Sequence, residues 1–184
     1  WSQYYDEASK RSDYLEQKKQ IITGWVDSME GIKTAADLGA NDGVFSMLLS
    51  DKNIETLACD FDSLCINNLY NEIKISRQPF IQPLVLDLSN PSPAIGVNNS
   101  ERQSFLSRIK VDLVMALAVI HHLAIGKNIP LEKIAALFSH AARLLIIEFV
   151  PKTDEKIQLM LRSKKDIYTG YTKENFEQVF TKHF

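Results

Sequence analysis

The feature that most constrains the fold is a short apolar run that ends in a glycine-containing turn. Thr34–Leu38 is typical of a buried strand, and a helical pattern over 44–49 follows Gly39 and Gly43. Gly39 permits a backbone angle that other residues resist, and Gly43 leaves room for the main chain to approach a ligand. Because a helix N-terminus presents unpaired N–H groups and a positive dipole end, the stretch predicts a loop that holds an anionic or carboxylate-bearing ligand.

An acid late in this strand, Asp37, is unusual because a buried carboxylate is costly unless it is hydrogen-bonded. One interpretation is that Asp37 bonds the amides of the glycine loop. Another is that Asp37 takes part in binding the ligand. The two interpretations are compatible, and the sequence leaves both open.

Apolar runs alternate with helical patterns along the rest of the chain. Among these patterns, 101–109 predicts a short helix, and the last helix opens at Tyr171 with Thr172 as its predicted cap. Further strands are predicted over 54–60, 80–88, 111–118 and 143–150, and Pro83 indicates that the second of these begins after it. Such alternation is typical of a parallel sheet with helices on both faces, so we predict a doubly wound, Rossmann-like α/β fold. There is no internal linker or repeat, and we expect one domain over 1–184.

Candidate functional residues fall at the predicted carboxyl ends of these strands. Asp60 follows Gly39 by 21 residues, a spacing typical of an acid that binds a ribose, although Asp60 is alternatively the cap of the next helix. Asp87 lies near the end of the third strand, and His121 and His122 follow the fourth. Ligands bind beyond the carboxyl ends of parallel strands, so these loops are expected to converge on one site.

The composition narrows the class of protein. The net charge of −2 gives no basic excess for nucleic acid, and the two cysteines form neither a disulfide framework nor a zinc site. No apolar run is long enough to span a bilayer, and no signal peptide is visible. We therefore expect a cytoplasmic protein with no membrane partner. The absence of an initial Met indicates a fragment.

Taken in order, these motifs resemble the class I S-adenosylmethionine-dependent methyltransferases. The stretch Asp37-Leu-Gly-Ala-Asn-Asp-Gly43 is similar to the first motif of that family, whereas a dinucleotide-binding oxidoreductase would show Gly-x-Gly-x-x-Gly. The resemblance covers roughly 30–150 and implies S-adenosylmethionine as the cofactor. It also implies two further strands, six and seven, which are missing from this chain. The cofactor contacts that it implies are Asp37, Gly39, Asn41, Gly43, Asp60, Phe61, Asp87, Leu88 and Ala118.

The resemblance gives several of these residues a role. Asp60 is expected to bind both ribose hydroxyls, and Phe61 to pack on the adenine. The Asp87 carboxylate is expected to accept from the adenine amino group, and the backbone N–H of Leu88 to meet the ring. Ala118 is expected to line the methionine portion.

The domain is expected to comprise a helical extension (1–29), a cofactor-binding core (30–150) and a C-terminal helical segment (151–184). In the extension, Tyr4, Tyr5 and Arg11 either fold over a ligand or are ordinary helix residues. The opening Tyr5–Leu15 and the segment Ile147–Asp154 resemble a group of bacterial methyltransferases that includes nodulation proteins. That group implies no particular substrate.

The candidate catalytic residue is His121. Ile120-His-His-Leu123 resembles a Leu-His-His pattern of several small-molecule methyltransferases. An imidazole there suits a general base, although a structural histidine at a helix start is the alternative. His122 is expected to point elsewhere, and no metal site is expected. Glu148 either reaches the same edge of the sheet or bonds a neighbouring loop.

We therefore expect a methyltransferase that acts on an O or N nucleophile of a small molecule or sugar. A protein acceptor stays open, and the weak charge disfavours nucleic acid. The alternatives are a non-enzymatic, methyltransferase-like binding module and an NAD(P)-dependent oxidoreductase. The missing third glycine argues against the oxidoreductase, and the intact motif residues argue against the module.

Overall fold

The computed structural model describes residues 12–162 and 164–184 and contains a five-stranded parallel sheet. The strand order is β3-β2-β1-β4-β5, which confirms the predicted Rossmann-like fold. The described residues contain no sixth or seventh strand. The strands are β1 Thr34–Leu38, β2 Glu55–Asp60, β3 Ile81–Val85, β4 Val111–Ala116 and β5 Ala142–Ile147.

Helices alternate with the strands along the chain, as their apolar spacing predicts. Side-chain caps set several of their starts, and the predicted cap Thr172 accepts from the N–H of Asn175 at 3.2 Å. No helix of the described residues is both long and apolar enough to cross a membrane. The α-helices are α1 Ser12–Ser28, α2 Val44–Ser50, α3 Ser63–Ser76, α4 Phe105–Arg108, α5 Leu131–Ala141, α6 Glu155–Leu161 and α7 Lys173–Phe180.

Helix α4 is shorter than the helix that the sequence predicts over 101–109. An antiparallel bridge between Ile95 and Arg102 takes the earlier residues into a turn. Ser104 then caps the helix by accepting from the N–H of Ser107 at 3.1 Å.

The described chain forms two compact units, the first ending at Leu86 and the second covering Asp87–Phe184. The expected division at 29 and 150 stays a prediction. Tyr4, Tyr5 and Arg11 lie outside the described residues.

The first unit places β1 parallel to β2 and β2 parallel to β3. Pro83 lies inside β3 opposite Ala58, so the expectation that this strand begins after Pro83 is wrong. Proline has no N–H to donate to a neighbouring strand. Because β3 lies at the edge of the sheet, this missing donor is tolerated there. The hydrophobic core of the first unit contains Ala40, Ala58, Leu69, Ile73 and Ile81.

The second unit is built on the parallel pair of β4 and β5, in which Leu113 lies opposite Leu144. Phe138 of α5 is fully buried and lies 6.4 Å, between ring centroids, from Phe180 of α7. This apolar packing joins α5 to α7, and the candidate residues of this unit follow the carboxyl ends of β4 and β5.

Candidate functional site

The glycine loop between β1 and α2 follows the conformation that its residues predict. Gly39 has φ 87° and Asn41 has φ 48°, both in the left-handed region. The N–H groups of Gly39 and Ala40 both donate to the carbonyl of Cys59, at 2.8 and 2.9 Å. Glycine adopts this region without a steric cost and asparagine tolerates it, so the expectation for Gly39 is confirmed.

Gly43, the last residue before α2, is required for a reason that the sequence does not show. Its φ is 78°, and a Cβ atom built on it would lie 2.5 Å from Cδ1 of Leu69 on α3. That distance is far below van der Waals contact, so a Cβ atom here would force the buried Leu69 side chain or its surroundings to move. A ligand approach at Gly43 stays a prediction.

Asp60, at the end of β2, joins the strand to the glycine loop. Its Oδ2 accepts from the N–H of Asn41 at 2.9 Å, and its Oδ1 accepts from the N–H of Asp62 at 2.9 Å. Helix α3 is capped instead by Asp62, which accepts from the N–H of Leu64 at 2.9 Å. The alternative that Asp60 caps this helix is therefore wrong, and its ribose role stays a prediction.

Asp37 is buried, and its Oδ2 accepts from the hydroxyl of Ser46 on α2 at 2.6 Å. The interpretation that Asp37 bonds the loop amides is wrong, because those of Gly39 and Asn41 donate to Cys59 and Asp60. Burial, chiefly, raises the pKa of Asp37 to about 7, against the hydrogen bond from Ser46, which lowers it, and together with the charge of Asp60, which raises it. Asp37 thus anchors the first turn of α2, and its role in binding the cofactor stays a prediction.

This raised pKa predicts a pH dependence of stability. The unfolded carboxyl loses its proton near pH 3.8 while the folded one holds it to about pH 7. The contribution of Asp37 to the free energy of unfolding should therefore fall as pH rises through this interval, by up to about 4 kcal/mol, and level off above it. Asp37→Asn, which still accepts from Ser46, should remove that contribution, so its free energy of unfolding minus that of the unmutated chain should rise with pH in denaturation measured from pH 4.5 to 8. Glu55→Gln, an exposed acid of β2, is the matched control, and equal slopes in Asp37→Asn and the unmutated chain would contradict the assignment.

Two side-chain oxygens of the glycine loop are buried without a partner among the described residues. They are Oδ1 of Asn41 and Oδ1 of Asp42. Burial raises the pKa of the Asp42 carboxyl, which hydrogen bonds with Cys65 and Asn68 oppose. Buried acceptors without donors are costly, so these two oxygens are candidates for contact with a ligand. Asp42 was not among the cofactor contacts predicted from the sequence. Its position inside the first motif, between Asn41 and Gly43, could have indicated it.

Phe61, the residue after Asp60, is exposed over 56% of its surface. Its position at the carboxyl end of β2 is as predicted. The expectation that the ring packs on an adenine stays a prediction.

In the second unit, Asp87 is held as a carboxylate by its own loop. Its Oδ1 accepts from the N–H and the hydroxyl of Ser89, at 2.8 and 2.6 Å, and its Oδ2 lies 3.6 Å from Nζ of Lys127. The Ser89 hydroxyl, chiefly, lowers the pKa of Asp87. Leu88 is half-buried beside it. The adenine contacts of Asp87 and Leu88 stay predictions.

The segment that follows β4 has two uncommon backbone features. Ala118 has φ 51°, a left-handed angle that costs a residue with a Cβ atom about 1–2 kcal/mol. His122–Gly126 then form a π-helix, a rare element that often marks functional sites. Strain of this kind is retained where the surrounding structure holds a functional arrangement, so it singles out the end of β4.

Ala118→Gly should therefore raise the free energy of unfolding, by up to about 1 kcal/mol, because glycine relieves the strain at some entropic cost. Ala135→Gly, inside α5, should instead lower it by about 1 kcal/mol. Chemical denaturation of both variants checks the pair. Equal losses in the two variants would contradict the strain at Ala118.

His121 lies just before the π-helix and is only 3% exposed. Within 12–162 and 164–184, its Nδ1 atom has no hydrogen-bond partner. The rings of His121 and His122 lie 3.9 Å apart between centroids. The expectation that His122 points elsewhere is therefore wrong, because the backbone at the start of the π-helix brings the adjacent rings together.

Charged groups surround this histidine pair. Burial lowers the pKa of His121 to about 4, against the charges of Asp154 and Glu148, which raise it, while Lys156 lowers it further. Burial, chiefly, lowers the pKa of His122 to about 3. Both imidazoles are therefore neutral at pH 7. The charge of Glu148 acts on His121. Whether Glu148 reaches the edge of the sheet or bonds a neighbouring loop stays open.

The segment 164–171 ties the π-helix to the loop after β5. The ammonium of Lys164 donates to the carbonyls of Ile125 and Gly126, at 3.0 Å each. The hydroxyl of Tyr171 donates to the carbonyl of Val150 at 2.9 Å. These bonds satisfy the last carbonyls of the π-helix and hold the surroundings of His121 in place.

Comparison with solved structures places this fold among methyltransferases. The bifunctional kinase-methyltransferase WbdD aligns with a TM-score of 0.58 at 17% identity, over 91% of this chain and 34% of that one. The magnesium protoporphyrin IX methyltransferase ChlM of Synechocystis PCC 6803, with bound SAH, aligns with a TM-score of 0.52 at 19% identity, over 76% of this chain and 57% of that one. ChlM with bound SAM aligns with a TM-score of 0.50 at 20% identity, over 80% of this chain and 66% of that one.

The fold is that of the S-adenosylmethionine-dependent methyltransferases, as the motifs predict. In sequence, the chain is 39% identical over 170 residues to the nodulation protein NoeA of Rhizobium meliloti, which confirms the narrower similarity. The match covers 92% of this chain and 34% of NoeA, so the chain spans about a third of that relative. No protein-family profile matches the chain.

Proposed function

We propose that this chain binds S-adenosylmethionine and transfers its methyl group to an O or N nucleophile of a small-molecule or sugar acceptor. The observation that carries the proposal is the glycine loop, in which Asp60 bonds the amide of Asn41 and two buried oxygens lack donors among the described residues. The fold of ChlM, whose solved structures hold SAM and SAH, supports the same assignment.

The residues of the loop fit the chemistry of this cofactor. Each carboxylate oxygen of Asp60 accepts one backbone N–H and keeps further acceptor capacity, which suits two ribose hydroxyls. Oδ1 of Asn41 and Oδ1 of Asp42 are buried acceptors that suit an ammonium group such as that of the methionine portion. Asp87, Leu88 and Ala118 are proposed as further contacts. When bound, the cofactor supplies a methyl group on a positively charged sulfur.

The protein's own contribution to such a transfer is positioning and exclusion of water. The glycine loop is rigid, because its amides bond Cys59 and Asp60. His121 is proposed as the general base, since it is buried and neutral at pH 7 and its Nδ1 atom has no hydrogen-bond partner among the described residues.

Calorimetric titration with S-adenosylhomocysteine, beside NAD, tests the cofactor. We expect micromolar binding of S-adenosylhomocysteine and none of NAD, because the loop lacks the three-glycine pattern of the dinucleotide-binding proteins. Circular dichroism on the same sample establishes that the chain is folded. Absence of S-adenosylhomocysteine binding by folded chain would refute the proposed function.

A further inference from the structure

Lys18 lies on the side of α1 that packs against α2. It precedes the buried residues Ile22 and Val26 at intervals of four residues, so the three side chains share one face of the helix. Its ammonium nitrogen lies 5.3 Å from the centroid of the Phe45 ring on α2, within the range of a cation–π contact. Lysine is mostly a surface residue, so a half-buried lysine on a packed face is a candidate for a functional role.

This position brings a positive charge to the start of α2, directly after the glycine loop. Phe45 is the second residue of α2, and the next residue, Ser46, donates its hydroxyl to Asp37 at 2.6 Å. Lys18 and Asp37 therefore both contact the first turn of this helix. Burial, chiefly, raises the pKa of Asp37, and the charge of Lys18 acts against that rise. The ammonium of Lys18 is thus close enough to the loop to act on its buried acid.

The acids of the glycine loop and its neighbours give this region a negative charge. Asp60 and Asp62 act on Asp42 through their charges, and Asp60 also acts on Asp37. An anionic group of a ligand would be repelled by these acids unless a cation lay beside it. Lys18 supplies such a cation from α1.

The methionine portion of S-adenosylmethionine carries an ammonium and a carboxylate on one carbon atom. The buried Oδ1 atoms of Asn41 and Asp42 have no partner among the described residues and suit the ammonium, because they are acceptors. They cannot bind the carboxylate, which is itself an acceptor and brings no hydrogen. The carboxylate needs a donor with a positive charge, and a lysine ammonium is such a donor.

We propose that Lys18 binds the carboxylate of the methionine portion of the cofactor. The inference rests on the proposed function and adds a residue of α1 to the cofactor site. The amino-acid group would then meet opposite charges at its two ends, the ammonium at Asn41 and Asp42 and the carboxylate at Lys18. The flexible stem of lysine lets its ammonium reach a ligand while α1 stays packed on α2. Lys18 is a binding residue and takes no part in the transfer of the methyl group.

Two ligands that differ only in the carboxylate test this contact without any mutation. They are S-adenosylhomocysteine and its decarboxylated analogue, which keeps the ammonium. Calorimetry of the full chain should give an affinity for S-adenosylhomocysteine about tenfold or more above that for the analogue, because a hydrogen bond between charged groups is worth that much. Equal affinities would overturn the proposal, because no group of the protein would then recognise the carboxylate.

Lys18→Met assigns the difference to this residue. Methionine keeps a long apolar side chain against Phe45 but removes the charge. The variant should bind S-adenosylhomocysteine more weakly by about tenfold or more, and it should bind the decarboxylated analogue as the unmutated chain does. Equal losses for the two ligands would overturn the proposal, because Lys18 would then act on the shape of the loop rather than on the carboxylate.

Two further variants are the controls, and denaturation establishes that each variant is folded. Lys19→Met removes the next lysine of α1, which forms a salt bridge with Glu16 at 2.8 Å, and its affinities should equal those of the unmutated chain. Lys18→Arg keeps a positive charge and should retain most of the affinity for S-adenosylhomocysteine. A loss in Lys19→Met as large as that in Lys18→Met would overturn the assignment, because any charge on α1 would then have the same effect.

The same titrations separate this inference from the proposed function. If the folded, unmutated chain binds neither ligand, the proposed function is refuted and Lys18 loses its role with it. If that chain binds S-adenosylhomocysteine and Lys18→Met binds it equally well, the proposed function stands and the role of Lys18 alone is refuted.

Discussion

Asp60→Asn is expected to weaken the binding of S-adenosylhomocysteine at least a hundredfold. The Asp60 carboxylate accepts the N–H groups of Asn41 and Asp62, both at 2.9 Å, and is proposed to bind the ribose with its remaining lone pairs. An amide replaces one acceptor oxygen by a donor, so one backbone bond is lost and the charged acceptor is gone. Bonds to a charged group are worth about 1.5–3 kcal/mol each, and a hundredfold in affinity corresponds to about 2.7 kcal/mol.

Asp62→Asn is the matched control for this measurement. It changes the neighbouring acid in the same way, but Asp62 caps α3, and asparagine caps a helix as well as aspartate does. Its affinity should stay close to that of the unmutated chain. Calorimetry gives the affinities, and denaturation establishes that both variants are folded. Unchanged affinity in Asp60→Asn would remove Asp60 from the cofactor site.

Gly43→Ala is expected to lower the free energy of unfolding by about 3 kcal/mol and to abolish cofactor binding. An alanine at φ 78° costs about 1–2 kcal/mol, and its Cβ would lie 2.5 Å from Cδ1 of Leu69, where overpacking typically adds about 1–3 kcal/mol. Relief of this contact requires the buried Leu69 side chain, the loop or α3 to shift. A shift of the loop disturbs the bond from the N–H of Asn41 to Asp60.

A double variant separates the contact from the backbone strain. In Gly43→Ala with Leu69→Ala the steric contact is gone, so the combined loss should be smaller than the sum of the two single losses by about 1 kcal/mol or more. Gly24→Ala is the control for a glycine with open surroundings, and it should stabilise α1 by about 1 kcal/mol. Strict additivity of the first pair would show that Leu69 is not the cause.

Local patterns in the sequence were sufficient for the order of elements and for much of the first unit. β1 covers the predicted Thr34–Leu38, because a short apolar run bounded by glycines has few other structures open to it. Thr172 caps α7 as predicted, since a cap depends on residues only three positions apart. Gly39 adopts the left-handed angle for the same local reason.

The placement of the candidate residues after the ends of their strands was predicted, because the order of strands and helices fixes where each strand ends. The partners of their side chains were not. Asp60 was expected to meet a ribose or cap a helix, and it bonds the amide of Asn41, 19 residues away. Pro83 was expected to precede its strand, and it lies inside because β3 is at the sheet edge.

The sequence by itself determined that the chain would alternate strands and helices around a glycine loop, because periodicity and backbone preference act over a few residues. Only the tertiary structure decided that Gly43 makes room for Leu69, that Asp37 bonds Ser46, and that the rings of His121 and His122 meet. Each of these contacts depends on which surfaces pack together and on how far burial removes a group from water. Those quantities are properties of the folded chain, and no spacing along the sequence contains them.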